Sequence, residues 1–420
     1  MPEKQHIVIL GAGFGGLRAA LSLSKKIRKG KLNAEISLID RNAYHTYTPT
    51  LYEAATTSKE TANYLQIKEI VTFPIEEIIK KTGINFIEDE VEKLDLVGGD
   101  IHCAGGRKLN FDYLVLALGS EPHHFGIQGL REHALNLKTF LDAIKIRDRI
   151  WELAESGQQT FRIIVGGGGS TGVELAGEIQ GWLCELKEEF HECATKVTIV
   201  EAAPTILAGF PEKIVEAARK RIGDLGVEVL VSEAIAKADA EKITLQSGRE
   251  MRYDILVWTG GVKASSLMGS LPLKMEKRGR VEVVSAMECL PQSPDLKLYG
   301  KIYGIGDAVC FYDPASGKPI PGVARAAISQ ADIVVNNIVN DLKGGKKHRQ
   351  YKPFAYPYII PIGGKWAIAK IGPLIISGFL GWILKGLVEI NYLLSIMPLG
   401  KALRIWLKGL RIFIQNDRLG

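Results

Sequence analysis

The sequence has no paired cysteines. Cys103, Cys184, Cys193, Cys289 and Cys310 form neither a Cys-x-x-Cys nor a metal-ligand spacing. That argues against a disulfide framework or a redox dithiol and points to a reducing compartment. The eight histidines form no cluster of ligand spacing, so no metal site is expected. No apolar export segment precedes the strand-like stretch 6–10, and the chain is expected to stay in the cytoplasm. Long apolar runs are missing as well. The 14 uncharged residues at 371–384 and the 11 at 390–400 fall short of the roughly 18–20 that span a bilayer.

What is present is glycine, 45 of 420 residues, in a chain long enough for two or three domains. Hydrophobic and charged shares of 46% and 24% are those of a folded protein. The net charge of +6 is carried by the tail, where eight Lys/Arg from residue 365 onward face only Glu389 and Asp417.

The glycines are placed. An apolar, β-branched run at 7–10 feeds Gly11-Ala-Gly13-Phe14-Gly15-Gly16, then a helical pattern over 17–27, then a strand pattern ending at Asp40. This is the order of a dinucleotide-binding unit. Gly11 permits the turn, Gly13 admits a pyrophosphate to the backbone, Gly16 lets helix and strand pack, and Asp40 is placed for a ribose diol. The pyrophosphate sits on the helix N-terminus, where unpaired N–H groups favour an anion. The unit recurs. Strand 160–165 leads into Gly166-Gly167-Gly168-Gly169-Ser170-Thr171-Gly172, followed by a helical pattern over 173–184 and a strand ending at Glu201. Glu201 would repel a 2′-phosphate, so NADH is expected over NADPH. Two fingerprints imply two dinucleotides.

A third motif, a strand pattern ending in Gly306-Asp307-Ala308, follows the second unit. Here the chain resembles the two-dinucleotide-domain flavoproteins, in which such an Asp bonds the FAD ribityl chain. Stretches 111–119 and 253–261, the latter ending in Gly260-Gly261, look like that superfamily's crossover strands. By this resemblance the first half binds FAD and the inserted half NADH. Within the superfamily the chain is similar to type II NADH dehydrogenases, the non-proton-pumping NADH:quinone oxidoreductases. The stretches carrying this are Asn42-Ala-Tyr44-His45, Leu51-Tyr-Glu-Ala-Ala, Gly119-Ser-Glu-Pro with Phe125-Gly-Ile-Gln-Gly, Ser170-Thr-Gly-Val-Glu174 and Val200-Glu-Ala-Ala-Pro204.

The resemblance implies non-covalent FAD contacts at Gly11, Gly13, Phe14, Gly15, Gly16, Asp40, Arg41, Val91, Asp307, Ala324, Arg325 and Lys385. It implies NADH contacts at Gly167, Gly169, Ser170, Thr171, Gly172, Glu174, Glu201, Gly260 and Gly261. Glu174 takes the catalytic role, unless it merely complements the helix N-terminus; Tyr44 and His45 are read as a packed pair near the flavin or as a chemical one. Arg325 and Ser329 are implied at the quinone. The family has Ala-Gln where this chain has Ala324-Arg325, and an arginine donates to a quinone carbonyl but cannot accept.

The expected fold is α/β, with two Rossmann-like domains and C-terminal amphipathic membrane-docking helices. The expected boundaries are an FAD domain at 1–118 and 296–364, an NADH domain at 119–295 and a docking segment at 365–420. In 399–414, Lys401, Arg404, Lys408 and Arg411 form a basic stripe. Leu399, Leu403, Trp406, Leu407, Leu410, Phe413 and Ile414 lie opposite, while Ile405 and Ile412 interrupt the basic side. Such a helix suits anionic lipid at the cytoplasmic face; a core helix or a dimer contact is the other reading. A homodimer is expected and a nucleic-acid role is not. The alternatives are a sulfide- or other donor:quinone oxidoreductase of the same fold, which needs reactive cysteines, and a nucleotide-sensing flavoprotein of low turnover.

Overall fold

The structure, a computed structural model, describes residues 3–156, 158, 160–190 and 194–416, with backbone alone for 184–190 and 194–195. It divides into two compact units. The first comprises 1–45, 73–121 and 262–356, and the second 46–72, 122–261 and 357–420.

The first unit is built on a five-stranded parallel sheet in the order Lys301–Gly304, Tyr113–Leu116, Gln5–Leu10, Ala34–Asp40, Asn85–Glu88. Its central strand carries Ile7, Val8, Ile9 and Leu10, none exposed, because a parallel strand is covered on both faces. The Phe14–Gly30 helix crosses from Gln5–Leu10 to Ala34–Asp40. It packs along the Ala324–Leu342 helix, with Arg18 paired to Asp332. A three-stranded antiparallel meander, Val91–Asp95, Asp100–Cys103 and Lys108–Asn110, completes the nucleotide unit.

The second unit repeats this plan. Its parallel sheet runs Leu135–Asn136, Ile255–Trp258, Thr160–Gly166, Ala194–Glu201, Glu228–Val231. The crossing helix is Ser170–Phe190, and a meander of Ile235–Ala238, Lys242–Leu245 and Glu250–Arg252 follows. Both crossing helices begin three residues earlier than the sequence pattern indicated. Their first turns, Phe14-Gly-Gly and Ser170-Thr-Gly, hold at most one apolar residue and so carry no apolar period.

The boundaries differ from those expected at four stretches, the shortest being 119–121, which belong to the first unit, and the tail from 365 falls within the second unit. Residues 46–72 fold with the second unit, since Leu51, Tyr52, Ile67 and Val71 share a core with Phe140, Ile146 and Val173. Residues 357–364 join it too, Gly363 lying against Gly177. Residues 262–295 belong to the first unit, where Val281–Glu282 pairs with Val309–Cys310. A three-stranded sheet, Tyr358–Pro361, Ala367–Ile371 and Leu374–Gly378, leads into two final helices, Phe379–Ile396 and Leu399–Asn416.

These helices correct two expectations. Phe379–Ile396 has 18 residues with a mean hydropathy of 1.4, long and apolar enough to cross a membrane by length and composition. The apolar run stopped at Lys385 in the sequence, but the helix continues through it. In Leu399–Asn416 the inward residues are Ala402, Ile405, Gly409, Ile412 and Phe413. Ile405 and Ile412, which break the basic stripe in the sequence, are therefore the anchors of the helix. Leu399, Leu403, Leu407 and Ile414 are exposed instead. The helix has three faces: inward, basic and exposed apolar. Lys408 of the basic face pairs with Glu69 at 2.5 Å.

Truncating an inward residue should therefore cost stability and truncating an exposed one should not. Ile405→Ala is expected to destabilise by about 2–5 kcal/mol, and Leu403→Ala by no more than about 0.5 kcal/mol. Thermal unfolding of both variants checks this; equal losses would refute the three-faced assignment.

Candidate active site

The two glycine-rich turns are constructed alike. Gly11 and Gly167 have φ of +98° and +107°, a region that favours glycine. Their N–H groups donate to the carbonyls of Ile39 and Val200, at 2.8 Å each. A Cβ on Gly16 would stand 1.8 Å from the carbonyl oxygen of Gly11, and one on Gly172 would stand 1.9 Å from that of Gly167. These four glycines are required by the protein itself. Gly13 and Gly169 are not: a Cβ on either meets no protein atom within 4 Å. Each opens onto space beside the first turn of a helix with no acidic residue there, the arrangement that receives a phosphate. Ser170 and Thr171 add hydroxyls at the second turn.

The acid closing each second strand braces its turn. Asp40 accepts from the N–H of Ala12 at 2.7 Å and of Asn42 at 2.8 Å. Glu201 accepts from Gly168 at 2.5 Å and from Ala203 at 2.6 Å. Asp40 Oδ1 also accepts from Asn42 Nδ2 at 3.1 Å, so Oδ2 is the Asp40 oxygen with a lone pair for a ribose hydroxyl. Arg41 reaches Glu90 at 3.5 Å. Val91 opens the meander just beyond Glu88, which pairs with Asp40 across the sheet.

In the first unit three elements meet at the turn. Gly15 lies against Ile305 and Ala327, and Gly306 against Ala327. The Gly306–Ala308 turn is held by Gln330, whose Oε1 accepts from Gly306 N–H at 2.7 Å, and Asp307 accepts from Ser120 Oγ at 2.7 Å. The Ala324–Leu342 helix starts here with no side-chain cap and no acid in its first turn. Arg325 there is exposed, and Ser329 turns its hydroxyl to the carbonyl of Ala326. His45 Nδ1 bonds the Ala12 carbonyl oxygen at 2.8 Å, between Phe14 and Phe73. Burial lowers its pKa to about 4, so it is a neutral packing partner of the turn. In the second unit Gly260 lies against Gly167, and the ring of Phe125 covers Gly261.

Glu174, the fifth residue of its helix, lies past the first turn, which removes the reading that it complements the helix end. Burial raises its pKa to about 8; Lys385 opposes the shift and Glu53 adds to it. Lys385 belongs to the same unit and pairs with Glu53 at 2.6 Å. Four residues on, burial raises Glu389 to about 7 against the opposing charge of Lys385. Tyr52, Glu53, Glu178 and Glu389 were not singled out from the sequence. The signal available was an acid inside an apolar stretch, as in Leu51-Tyr-Glu-Ala-Ala, and Lys385 and Glu389 one helical turn apart. Cys103, Cys289 and Cys310 are free and buried, with burial the first cause raising each thiol. Cys184 and Cys193 lie outside the described side chains.

A family model described as pyridine nucleotide-disulphide oxidoreductase matches residues 5–331. Among curated proteins, the type II NADH:quinone oxidoreductase of Staphylococcus aureus strain NCTC 8325 / PS 47 is 33% identical over 360 residues, covering 81% of this chain and 84% of that one. Among solved structures, NDH2 from Plasmodium falciparum in complex with NADH superposes with a TM-score of 0.83 at 18% identity, covering 97% and 98% of the two chains. The sulfide:quinone oxidoreductase of the hyperthermophilic bacterium Aquifex aeolicus gives 0.77 at 19% identity, covering 93% and 91%. The last two likenesses speak for the fold.

Gly169 and Gly172 separate ligand from fold. Gly169→Val should leave the melting temperature nearly unchanged while weakening NADH binding at least tenfold, as read by fluorescence titration. Gly172→Val should unfold or fail to accumulate. A Gly169→Val protein with native NADH affinity would remove the pyrophosphate from this turn. The acids predict a pH trend. Glu174 and Glu389 hold folded pKa values of about 8 and about 7, above the roughly 4.3 of an unfolded Glu. The folded state then binds more protons through that window, so their stabilisation is complete below about pH 4 and lost as pH rises through 7 to 8. The melting temperature should fall from pH 5 to 9, and less so in Glu174→Gln; identical slopes would contradict the assignment.

Proposed function

The chain belongs to the pyridine nucleotide-disulphide oxidoreductase family and, within it, to the type II NADH:quinone oxidoreductases, and from that premise we propose which of its residues do what. It is an FAD-dependent enzyme that oxidises NADH and reduces a quinone. The observation that carries the residue assignment is the pair of turns whose second glycines, Gly13 and Gly169, open onto space that no protein atom claims. FAD, when bound, supplies the two-electron carrier that joins NADH oxidation to quinone reduction.

The chain's own residues bind and orient. Gly11, Gly13, Phe14, Gly15 and Gly16 present backbone N–H groups to the FAD pyrophosphate, Asp40 and Arg41 serve its adenosine side with Val91, and Asp307 serves its ribityl chain. Gly167, Gly169, Ser170, Thr171 and Gly172 hold the NADH pyrophosphate, beside Gly260 and Gly261. Glu201 takes the adenosine ribose, and its charge disfavours a 2′-phosphate. Glu174, held largely neutral at pH 7 by burial, can donate a hydrogen bond to the nicotinamide end of NADH. Ala324 opens an uncapped helix whose N–H groups favour negative charge, and Arg325 and Ser329 face the quinone. Lys385 supplies positive charge near the reaction centre.

The enzyme is proposed to lie peripherally, as a homodimer, on the cytoplasmic face of a membrane rich in anionic lipid. Among the described residues, thirteen of the 24 exposed large apolar ones fall between Ile371 and Ile414, a density that a water-facing surface does not explain. Lys401, Arg404 and Arg411 flank them. Lys385 and Glu389 lie inward on the Phe379–Ile396 helix, which favours docking through its outer face over spanning.

Anaerobic stopped-flow absorbance tests the reaction: NADH should bleach the flavin band and a soluble ubiquinone or menaquinone analogue should restore it. Bleaching without recovery would leave the quinone half unsupported. The docking face is tested separately. Leu403→Asp with Leu407→Asp should retain NADH-dependent ferricyanide reduction while losing most sedimentation with vesicles containing phosphatidylglycerol; unchanged sedimentation would move the membrane contact elsewhere.

A further inference from the structure

Reducing a quinone with NADH takes one hydride from the nicotinamide and one proton from water: NADH, H⁺ and quinone give NAD⁺ and quinol. Resting on that reaction, the second unit holds an arrangement suited to bringing the proton in. Glu53 lies on the short Leu51–Ala54 helix between residues that are all buried. Its Oε1 accepts from Lys385 Nζ at 2.6 Å, with side-chain exposures of 9% and 14%. Around this pair stand Glu174 and Glu178 from the Ser170–Phe190 helix and Glu389 from the helix of Lys385. Tyr47 and Tyr392, stacked with centroids 5.3 Å apart, complete the surroundings.

Four carboxylates around one ammonium cannot all be ionised in a desolvated site, so the group holds protons in common. Burial raises Glu174 and Glu389, while Lys385 keeps its charge because these acids outweigh its own desolvation. Within the cluster the hydroxyl of Tyr52 is buried without a hydrogen-bond partner. Lys385 Nζ lies 5.5 Å from the centre of its ring, and the fields of all four acids reach it. A buried hydroxyl left unpaired is destabilising, a cost that persists where a transient partner is served.

A small cavity with room for about one water molecule lies beside the cluster, lined by Glu53, Glu178, Thr56, Asn416, Trp382 and Phe413, the first two bringing their carboxylates to it. Asn416 fixes its rim by accepting from Ser58 N–H at 2.8 Å and donating to the Thr56 carbonyl at 3.0 Å.

We propose that Glu53, reached by water through this cavity and paired with Lys385, is where the solvent proton of each turnover enters the protein. A hydronium ion gives its proton to the Glu53 carboxylate and leaves as water. Lys385 passes a proton from its ammonium to whichever neighbouring carboxylate, Glu174 or Glu389, is ionised, and regains one from Glu53. Only O–H and N–H bonds are made or broken, and no electrons move in this step. Tyr52, remaining protonated, donates its hydrogen bond to whichever carboxylate bears charge. Glu53 is thus a relay residue that need not touch quinone or nicotinamide.

The test compares two acceptors on the FAD-loaded enzyme. Ferricyanide takes electrons without protons, and a soluble quinone takes both. Glu53→Gln should slow quinone reduction roughly tenfold or more and leave ferricyanide reduction within about twofold. Formate or azide, weak acids small enough for the cavity, should restore part of the quinone rate, and Glu53→Asp most of it. Glu178→Gln, at the cavity, should show the same acceptor-selective loss in weaker form. Equal slowing with both acceptors, or an unchanged quinone rate in Glu53→Gln, overturns the proposal. A wild-type enzyme that reduces ferricyanide but no quinone would overturn the quinone reading and this proposal with it, whereas loss confined to the variants sinks the proposal alone.

Discussion

In each unit a carboxylate at the end of the second parallel strand accepts the N–H of the residue after the first motif glycine. Asp40 does this for Ala12 and Glu201 for Gly168. The bond fixes a turn whose first glycine already has a left-handed backbone, and the third glycine then presses against the first with no room for a Cβ. Strand, turn and helix are locked in one geometry, and the helix N-terminus faces open space. Everything proposed for dinucleotide binding follows from that constraint. It also shows how the acid serves two purposes: one lone pair of the bracing oxygen, Oδ2 in Asp40 and Oε2 in Glu201, holds the loop and the other remains for a ribose.

The second dependency is electrostatic. Lys385 lies inward on an apolar helix only because Glu53, Glu389 and the two acids of the Ser170–Phe190 helix act on it. An unpaired ammonium there would lose its proton or unfold the helix. The acids in turn stand close enough to one another that some must remain protonated near neutrality. That is a property of the group, and no single residue displays it.

The last two helices show how one sequence pattern supports two geometries. A basic stripe and a leucine stripe at helical spacing describe a two-faced helix. The fold adds a third face by directing Ile405 and Ile412, with the small Ala402 and Gly409, toward the protein. The leucines are thereby released to the surface. Small residues at the contact let the helix approach closely, a feature that an apolar count does not register.

Both nucleotide units were legible in the sequence, because G-x-G-x-x-G between a buried strand and a helix is a local code, and its acid follows at the end of the next strand. The role given to Asp307 came from the family resemblance. The family resemblance supplied the reading of FAD, NADH and quinone. Less legible were the helix starts, since glycine and serine carry no period, and the unit boundaries, since residues 46–72 join the second unit only through burial against distant helices. The acid cluster around Lys385 was invisible as a cluster: Glu53, the Glu174–Glu178 pair and the Lys385–Glu389 pair come from three distant stretches of the chain and meet only in the folded unit. The sequence by itself determined the local, short-range chemistry of the two turns, for which every necessary residue lies within one strand–turn–helix–strand stretch. Only the tertiary structure decided which charges share a buried site and which leucines face outward, because both depend on packing between segments that no spacing connects.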